Sequence, residues 1–287
     1  MSLAPITERE IEDYRACVGR TLTQEDIVDR RVAEMFAATL SVEVPTVDLP
    51  PLWHYGLFLP FVQTALLDTD GHPRRGDFLP PVRLPRRMFA GSSLNFHRLL
   101  MIGMPATRIS RIASVDHRSG KGGDLIFVRV ASSISQQDAP VLDEEQTIVY
   151  RPGGVTGAVV PVAHPNPEPR QAVEIWLPST TELFRFSAAT FNGHRIHYDL
   201  PYATEIEGYP ALVVHGPLIA MRLCAFAGKI AGRELATFTF RGEAPAFVGQ
   251  ELRLVGACDG SNISVRAERA DGVTAMSANA ASIRPAA

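Results

Sequence analysis

Cysteine is scarce in this chain. Its three cysteines, Cys17, Cys224 and Cys258, lie far apart and form no Cys-x-x-Cys pair, which argues against a disulfide framework and against a structural zinc site. No excess of one charge is present either. The 28 Lys and Arg residues against 31 Asp and Glu leave a net charge of −3, spread without long runs of one sign. A nucleic-acid-binding face is therefore not expected, since holding many phosphates needs concentrated basic charge. Long apolar runs are missing as well: the longest, Leu212 to Cys224, is interrupted by His215, Pro217 and Arg222, so no segment is expected to cross a bilayer. The opening MSLAPITEREIEDY turns acidic at once and lacks the apolar core of a signal peptide, so a soluble, cytoplasmic protein is expected. Three familiar fingerprints are also absent. Gly120-Lys121-Gly122-Gly123 lacks the spacing of a phosphate-binding GxxxxGK[ST] loop, and there is neither a GxGxxG dinucleotide turn nor a GxSxG nucleophile elbow.

What is there suits an ordinary folded protein. With 287 residues, 46% hydrophobic and 21% charged, the chain has room for one large domain or two of about 140 residues, and buries enough surface to need no covalent staple. Its sharpest composition break is Pro152 to Arg170, with Gly153, Gly154, Gly157 and prolines at 161, 165, 167 and 169. This predicts an N-terminal domain over 1–152, a linker over 153–170 and a C-terminal domain over 171–287.

In the first half, Thr7 followed by Glu10 predicts a capped helix running to Val18, and Thr23 to Leu40 a second helix with Glu25 and Asp26 at its positive end. Prolines 45, 50, 51 and 60 break the next stretch into turns, although Trp53 to Phe61 is apolar enough to be covered. Asp68 to Asp77 predicts an exposed loop on which Arg74 and Arg75 do nothing specific. Thr107 to Val115, Leu125 to Ser133 and Gln146 to Arg151 predict strands, two of them joined by a glycine-rich hairpin turn between Arg118 and Asp124. In the second half, Thr181 to Ala189 predicts a helix, with a small helix near Leu200 to Thr204. Pro217 to Ala231 predicts a long helix so apolar that it must be enclosed. Strands are expected at Leu235 to Arg241, Glu251 to Ala257, Ile263 to Ala270 and Thr274 to Ser282. A buried helix followed by an antiparallel run predicts an α+β fold with a sheet wrapped around the helix.

The chemistry concentrates in Phe191-Asn192-Gly193-His194-Arg195-Ile196-His197-Tyr198-Asp199. Further on, His215-Gly216-Pro217 leads directly into the enclosed helix. Proline suits a first helical turn, and the amides there point outward with the positive helix end, which suits a thioester carbonyl or an oxyanion.

These pieces resemble the MaoC-like, (R)-specific enoyl-CoA hydratase family of hotdog proteins. The matching residues are Phe186 to Ala189, Asn192 to Asp199, Tyr202-Ala203 and Val214 to Leu218. The first half, through Pro80 to Ser92 and Gln146 to Arg151, resembles the degenerate partner domain of two-domain members, which include mesaconyl-C4-CoA hydratases and mitochondrial-type 3-hydroxyacyl-thioester dehydratases. The resemblance implies a double hotdog with one site per chain, pairing as a homodimer, acting on an acyl-CoA or acyl-ACP thioester, with no metal, flavin or nicotinamide. By the same resemblance His197 is the catalytic histidine, Asn192 stands where the family usually has aspartate, and Gly216 donates the oxyanion amide. An amide cannot take a proton, so the base role falls to His197, whose ordinary pKa near 6.5 fits a proton shuttle. His197 takes a proton from water oriented by Asn192 and delivers it to C2, giving syn addition across a 2,3-enoyl thioester.

Other residues are left with two readings each. His194, Arg195 and Tyr198 bind substrate or face solvent, Arg195 being the candidate cation for a dicarboxylic acyl chain. His215 reads more as a buried elbow residue than as a second base. Arg83, Arg86 and Arg87 grip CoA phosphates or pair with acids of the other domain. A zinc trio of His194, His197 and His215 lacks a completing cysteine or acid. Beyond the hydratase reading stand a 3-hydroxyacyl-ACP dehydratase, a hotdog thioesterase, disfavoured by asparagine at 192, and a non-catalytic thioester-binding protein.

Overall fold

The computed structural model describes residues 4–120, 123–154, 156–164, 167–168 and 170–283. Thr7 caps helix α1 (Glu8–Arg15) in a reciprocal box: its hydroxyl accepts from the Glu10 amide while the Glu10 carboxylate accepts from the Thr7 amide at 2.8 Å. Ile11 and Tyr14 are buried from this helix, whereas Val18 lies beyond its end and is exposed.

The second expected helix is in part a strand. Thr21–Ile27 forms β1, paired antiparallel to a long strand at the sheet edge, and helix α2 begins only at Arg30 (Arg30–Leu40). Asp29 supplies the cap, accepting from the Arg31 amide at 2.8 Å. The acids at 25 and 26 imitated a helix start, but an open strand edge competed for the same backbone and the β-branched Thr21, Thr23 and Ile27 favour it.

After α2 come β2 (Asp48–Leu49), a short 3-10 turn (Trp53–Gly56), β3 (Arg86–Phe96), β4 (Leu100–Met101), β5 (Pro105–Gly120), β6 (Gly123–Gln136) and β7 (Ala139–Arg151). Leu52, Trp53, Leu57 and Phe58 are buried, as the apolar stretch required. The hairpin joins β5 to β6 with Gly120 opposite Gly123; Lys121 and Gly122 lie outside the described residues. The second half runs β8 (Ala172–Trp176), α3 (Thr180–Ala189), a 3-10 turn (Arg195–His197), a π turn (Tyr202–Ile206), α4 (Gly216–Ala231), β9 (Leu235–Gly242), β10 (Leu252–Asp259), β11 (Asn262–Arg269) and β12 (Thr274–Ser282).

Ten strands join in one sheet in the order β1-β5-β6-β7-β3-β9-β12-β11-β10-β8, every neighbouring pair antiparallel. The first five positions come from residues before 152 and the last five from residues after 171, so β3 and β9 are the seam. There Gly91 meets Arg241 in register, and a Cβ at Gly91 would stand 2.3 Å from the Phe240 carbonyl oxygen, so only glycine admits this approach. Helix α4 lies against β9 to β12, burying Leu218, Ile219, Met221, Leu223 and Phe226, and its apolar core is continuous with that of α2.

The segment 153–170 carries no helix or strand among its described residues. It packs along the second half: the Thr156 amide donates to the Gly208 carbonyl, the Val162 amide to the Ala270 carbonyl, and Val159 is buried. Pro165 and Pro169 lie outside the described residues. The loop from Asp68 to Asp77 is folded inward rather than left free. The Asp68 amide donates to the His72 carbonyl at 2.7 Å, and the Arg75 guanidinium reaches the carbonyls of Val82, Leu84 and Pro85. Arg75 therefore braces the approach to β3.

Candidate active site

The sheet seam opens into a cavity of about 1770 Å³ lined by both halves. The histidine turn enters it because α3 ends sharply. Thr190 returns its hydroxyl to the Phe186 carbonyl, Phe191 adopts a left-handed backbone (φ 48°), and the Asn192 amide closes on the Ser187 carbonyl at 2.8 Å. The Asn192 side-chain oxygen then accepts from the His194 amide at 3.0 Å, which leaves its NH₂ end as the donor available to a ligand.

His197 is buried in the 3-10 turn, and its Nδ1 lies 2.7 Å from the Val213 carbonyl oxygen. A carbonyl only accepts, so Nδ1 carries the proton and Nε2 keeps its lone pair. Burial, only partly offset by the Val213 hydrogen bond, pushes the His197 pKa down to about 4. This departs from the ordinary value expected for it: the ring is neutral throughout the physiological range. His215 is wholly buried and stacks on His197 with centroids 3.6 Å apart; its Nε2 meets the Ser187 hydroxyl at 2.8 Å. Burial and the neighbouring His197 and His194 also push its pKa well down. Immediately after His215, Gly216 opens α4 with Pro217 next, so the Gly216 amide has no acceptor within the helix. A Cβ at Gly216 would make ordinary contact with Phe89 and Met276 at 3.9 Å or more, and Gly216 lines the cavity.

Asn192, His194, His197, Tyr198, Gly216, Arg86 and Arg87 all line the cavity, whereas Arg83, Arg195 and His215 do not. Tyr198 is half-exposed and its hydroxyl donates to the Gly193 carbonyl at 3.0 Å. Arg195 is occupied: it holds Asp199 at 2.8 Å and the Thr69 carbonyl at 3.0 Å, and lies 4.2 Å over the Tyr202 ring. Arg83 holds Glu10 at 2.5 Å and the Ala4 and Pro5 carbonyls. Arg86, though at the cavity wall, is buried against Glu207 at 2.6 Å and the Gly154 carbonyl. Arg87 takes part in no salt bridge among the described residues.

Two site residues escaped the sequence reading. Asp70 and His72, on the inturned loop, reach the histidine turn, and the His72 ring sits 4.2 Å from His194, which in turn meets His197 edge-on at 5.4 Å. Asp70 Oδ2 lies 2.9 Å from His72 Nδ1, and the Arg195 amide donates to the Asp70 carbonyl at 2.9 Å. Burial would raise the Asp70 carboxyl, but the His72 hydrogen bonds and charge outweigh it and hold Asp70 ionised. Burial pushes His72 down despite Asp70, and burial with the neighbouring His72 and His197 pushes His194 further down. Asp70, His72 and His194 offer one ligand atom each within 4.8 Å of one another, but the Asp70–His72 hydrogen bond already uses two of those groups on each other. An Asp-Gly-His turn 120 residues from the histidine cluster carries no local signal that could have placed it there.

One continuous antiparallel sheet built from two halves, with an enclosed helix and a histidine turn beside that helix's start at a seam cavity, is the α+β double hotdog of MaoC-like proteins. The chain belongs to the hydroxyacyl-thioester dehydratase type 2 family, whose model matches residues 52–248. It is 45% identical over 273 residues to the mesaconyl-C4-CoA hydratase of Chloroflexus aurantiacus, covering 93% of this chain and 96% of that protein. It is 25% identical over 266 residues to the mitochondrial hydroxyacyl-thioester dehydratase type 2 of Schizosaccharomyces pombe, covering 80% and 88%. Among solved structures, HtdX of Mycobacterium tuberculosis superposes with TM-score 0.69 at 16% identity over 92% of this chain and all of that one. A second M. tuberculosis protein, described as a double hotdog, gives 0.56 at 14% identity over 93% and 96%.

Proposed function

We propose that this protein is a hydro-lyase that interconverts 2,3-enoyl and 3-hydroxyacyl CoA thioesters, with a small branched dicarboxylic acyl-CoA such as mesaconyl-C4-CoA as its substrate. The observation that carries the reading is His197, neutral, with Nδ1 tied to Val213 and Nε2 left basic beside the open first turn of α4. Similarity to the Chloroflexus hydratase over nearly the whole chain supports the substrate.

The Asn192 amide donates to a water and orients it. As the water oxygen attacks C3, His197 Nε2 takes one of its protons, and the C2–C3 π electrons move onto the thioester oxygen. The Gly216 amide, with the positive end of α4 behind it, stabilises that oxyanion. The imidazolium then gives its proton to C2 on the same face, restoring neutral His197. All atoms of the water end in the product, and the reverse path is dehydration. The first half, 1–152, serves as the partner domain and supplies Asp70 and His72, while 171–287 carries the reacting groups.

Two copies of the chain pair in a cytoplasmic homodimer. The edge strand β8, with Ile175 and neighbouring Leu177 exposed, supports a pairing edge, and sedimentation at micromolar concentration checks it.

The test follows loss of enoyl-thioester absorbance with crotonyl-CoA, a medium-chain enoyl-CoA and the C1- and C4-linked mesaconyl-CoAs. The expected outcome is turnover that prefers the C4-linked isomer and falls at least about 10³-fold in His197→Ala. Wild-type inactivity across the panel, or turnover unchanged by the substitution, would sink the reading.

A further inference from the structure

We infer that Arg87 is the cation that reads the second carboxylate of the acyl group, making the far end of the acyl pocket a carboxylate subsite rather than an alkyl channel. This deepens the proposed hydratase reading and takes its acyl orientation from it.

The four arginines singled out from the sequence divide cleanly. Arg83, Arg86 and Arg195 each hold a carboxylate of the protein at 2.8 Å or less. Arg87 holds none within 4.0 Å among the described residues, yet it is half-buried at the cavity wall, where desolvation pulls its pKa down. A partly desolvated guanidinium without a carboxylate partner is costly, and a ligand carboxylate would remove that cost through a two-pronged hydrogen bond.

Tyr150 stands opposite Arg87 in strand register, wholly buried, and meets the guanidinium as a neutral phenol rather than as an acid. Arg75 adds a second positive charge nearby, its own donors spent on backbone carbonyls. Asp70 is a carboxylate whose charge reaches Arg87, and its oxygens are engaged by the His72 ring and amide. His72 and His194, both held neutral, feel the Arg87 charge. The excess in this corner is therefore positive.

Its position selects the kind of ligand. Arg87 lines the same cavity as His194 and His197, whose rings lie 5.4 Å apart, so a carboxylate it binds lies in the cavity that holds the reacting carbons. In a four-carbon enoyl thioester bearing a second carboxylate, that group is attached directly to C3, the carbon that water attacks. Such a substrate needs its cation in the catalytic pocket, whereas a long alkyl chain would press against an unpaired charge.

Binding of saturated, unreactive thioesters tests this without turnover. Succinyl-CoA and butyryl-CoA have the same chain length and differ in a terminal carboxylate against a methyl. By titration calorimetry the wild type should bind succinyl-CoA at least about 10-fold tighter. Arg87→Gln should weaken succinyl-CoA by about 10- to 100-fold while butyryl-CoA stays within about threefold. Arg87→Lys, keeping charge but losing the planar fork, should fall between, and it carries the test if the glutamine variant does not keep the wild-type melting temperature. Equal weakening of both thioesters would assign Arg87 to CoA instead and overturn the inference, as would no change in either. An enzyme that shows this discrimination but hydrates nothing sinks the hydratase proposal alone, and an active hydratase whose discrimination ignores Arg87 sinks the subsite alone.

Discussion

His197 shows how one hydrogen bond can set a protonation state. The Val213 carbonyl accepts a hydrogen bond from Nδ1–H, and burial, with His72 nearby, disfavours a positive charge, so Nε2 is basic and unprotonated. A base must be neutral to accept a proton, and its pKa is lowered to about 4. The acid limb of kcat/KM should therefore lie near pH 4, with activity flat from about pH 5.5 upward. A limb centred near 6.5, the ordinary imidazole value, would contradict this protonation state. The profile is measured in pre-equilibrated enzyme, with stability followed in parallel.

The inturned loop that carries Asp70 and His72 depends on its own backbone contact with the histidine turn. Gly71 has φ +88°, and a Cβ there would stand 1.9 Å from the Gly193 carbonyl oxygen. The obstacle is backbone, so no side-chain rotation relieves it, and the left-handed conformation adds strain. Gly71→Ala should push the loop from the turn, moving His194 and Asn192 with it. Asp70 and His72 stand outside the α2–α4 core and the turn contributes Ile196 to it, so melting should fall by a few degrees, while kcat/KM falls about 10²-fold. Unimpaired kinetics with the same melting shift would show that the loop does not position the site. The strand at Thr21–Ile27 illustrates a related dependence: its conformation is decided by the partner at its side, β5, and not by its own helical period.

Across the molecule, four histidines meet at the seam, and His72, His194, His197 and His215 all have pKa values pushed down by burial. Each binds a proton in the unfolded chain near pH 6.5 but not in the folded one. Stability is therefore fully present above about pH 6.5 and is lost as pH falls, by about 1.4 kcal/mol per pH unit for each histidine that remains neutral in the fold. Asp70 and Glu144 work at lower pH. Burial would raise Glu144, but hydrogen bonds from His54, Tyr55 and Ser92 outweigh it, so both carboxyls are depressed and their stabilisation fades as pH falls below about 4.5. Chemical denaturation between pH 7.5 and 4 should show a steep decline that begins above the carboxylate range. His215→Phe, which keeps an aromatic ring over His197 but cannot titrate, should reduce that slope; an unaltered slope would remove His215 from the account.

Much of this architecture was already legible in local pattern. The capped first helix, the hairpin of β5 and β6, the enclosed α4 and the four strands after it follow from periodicity and turn chemistry, which act over a few residues. Asn192, His197 and Gly216 could be proposed from the sequence, because one turn and one helix start hold them. What local pattern could not carry was any relation across the seam. Arg86 and Arg87 look alike in the sequence, and only Glu207, arriving from the other half, distinguishes Arg86, which it pairs, from Arg87, which holds no carboxylate within 4.0 Å among the described residues. Asp70 and His72 read as surface because their loop is polar; they are enclosed because β3 and β9 pair and bring the two halves together around them. Hydrogen-bond periodicity is a property of neighbours along the chain, whereas desolvation and charge pairing depend on which distant groups arrive at the same place.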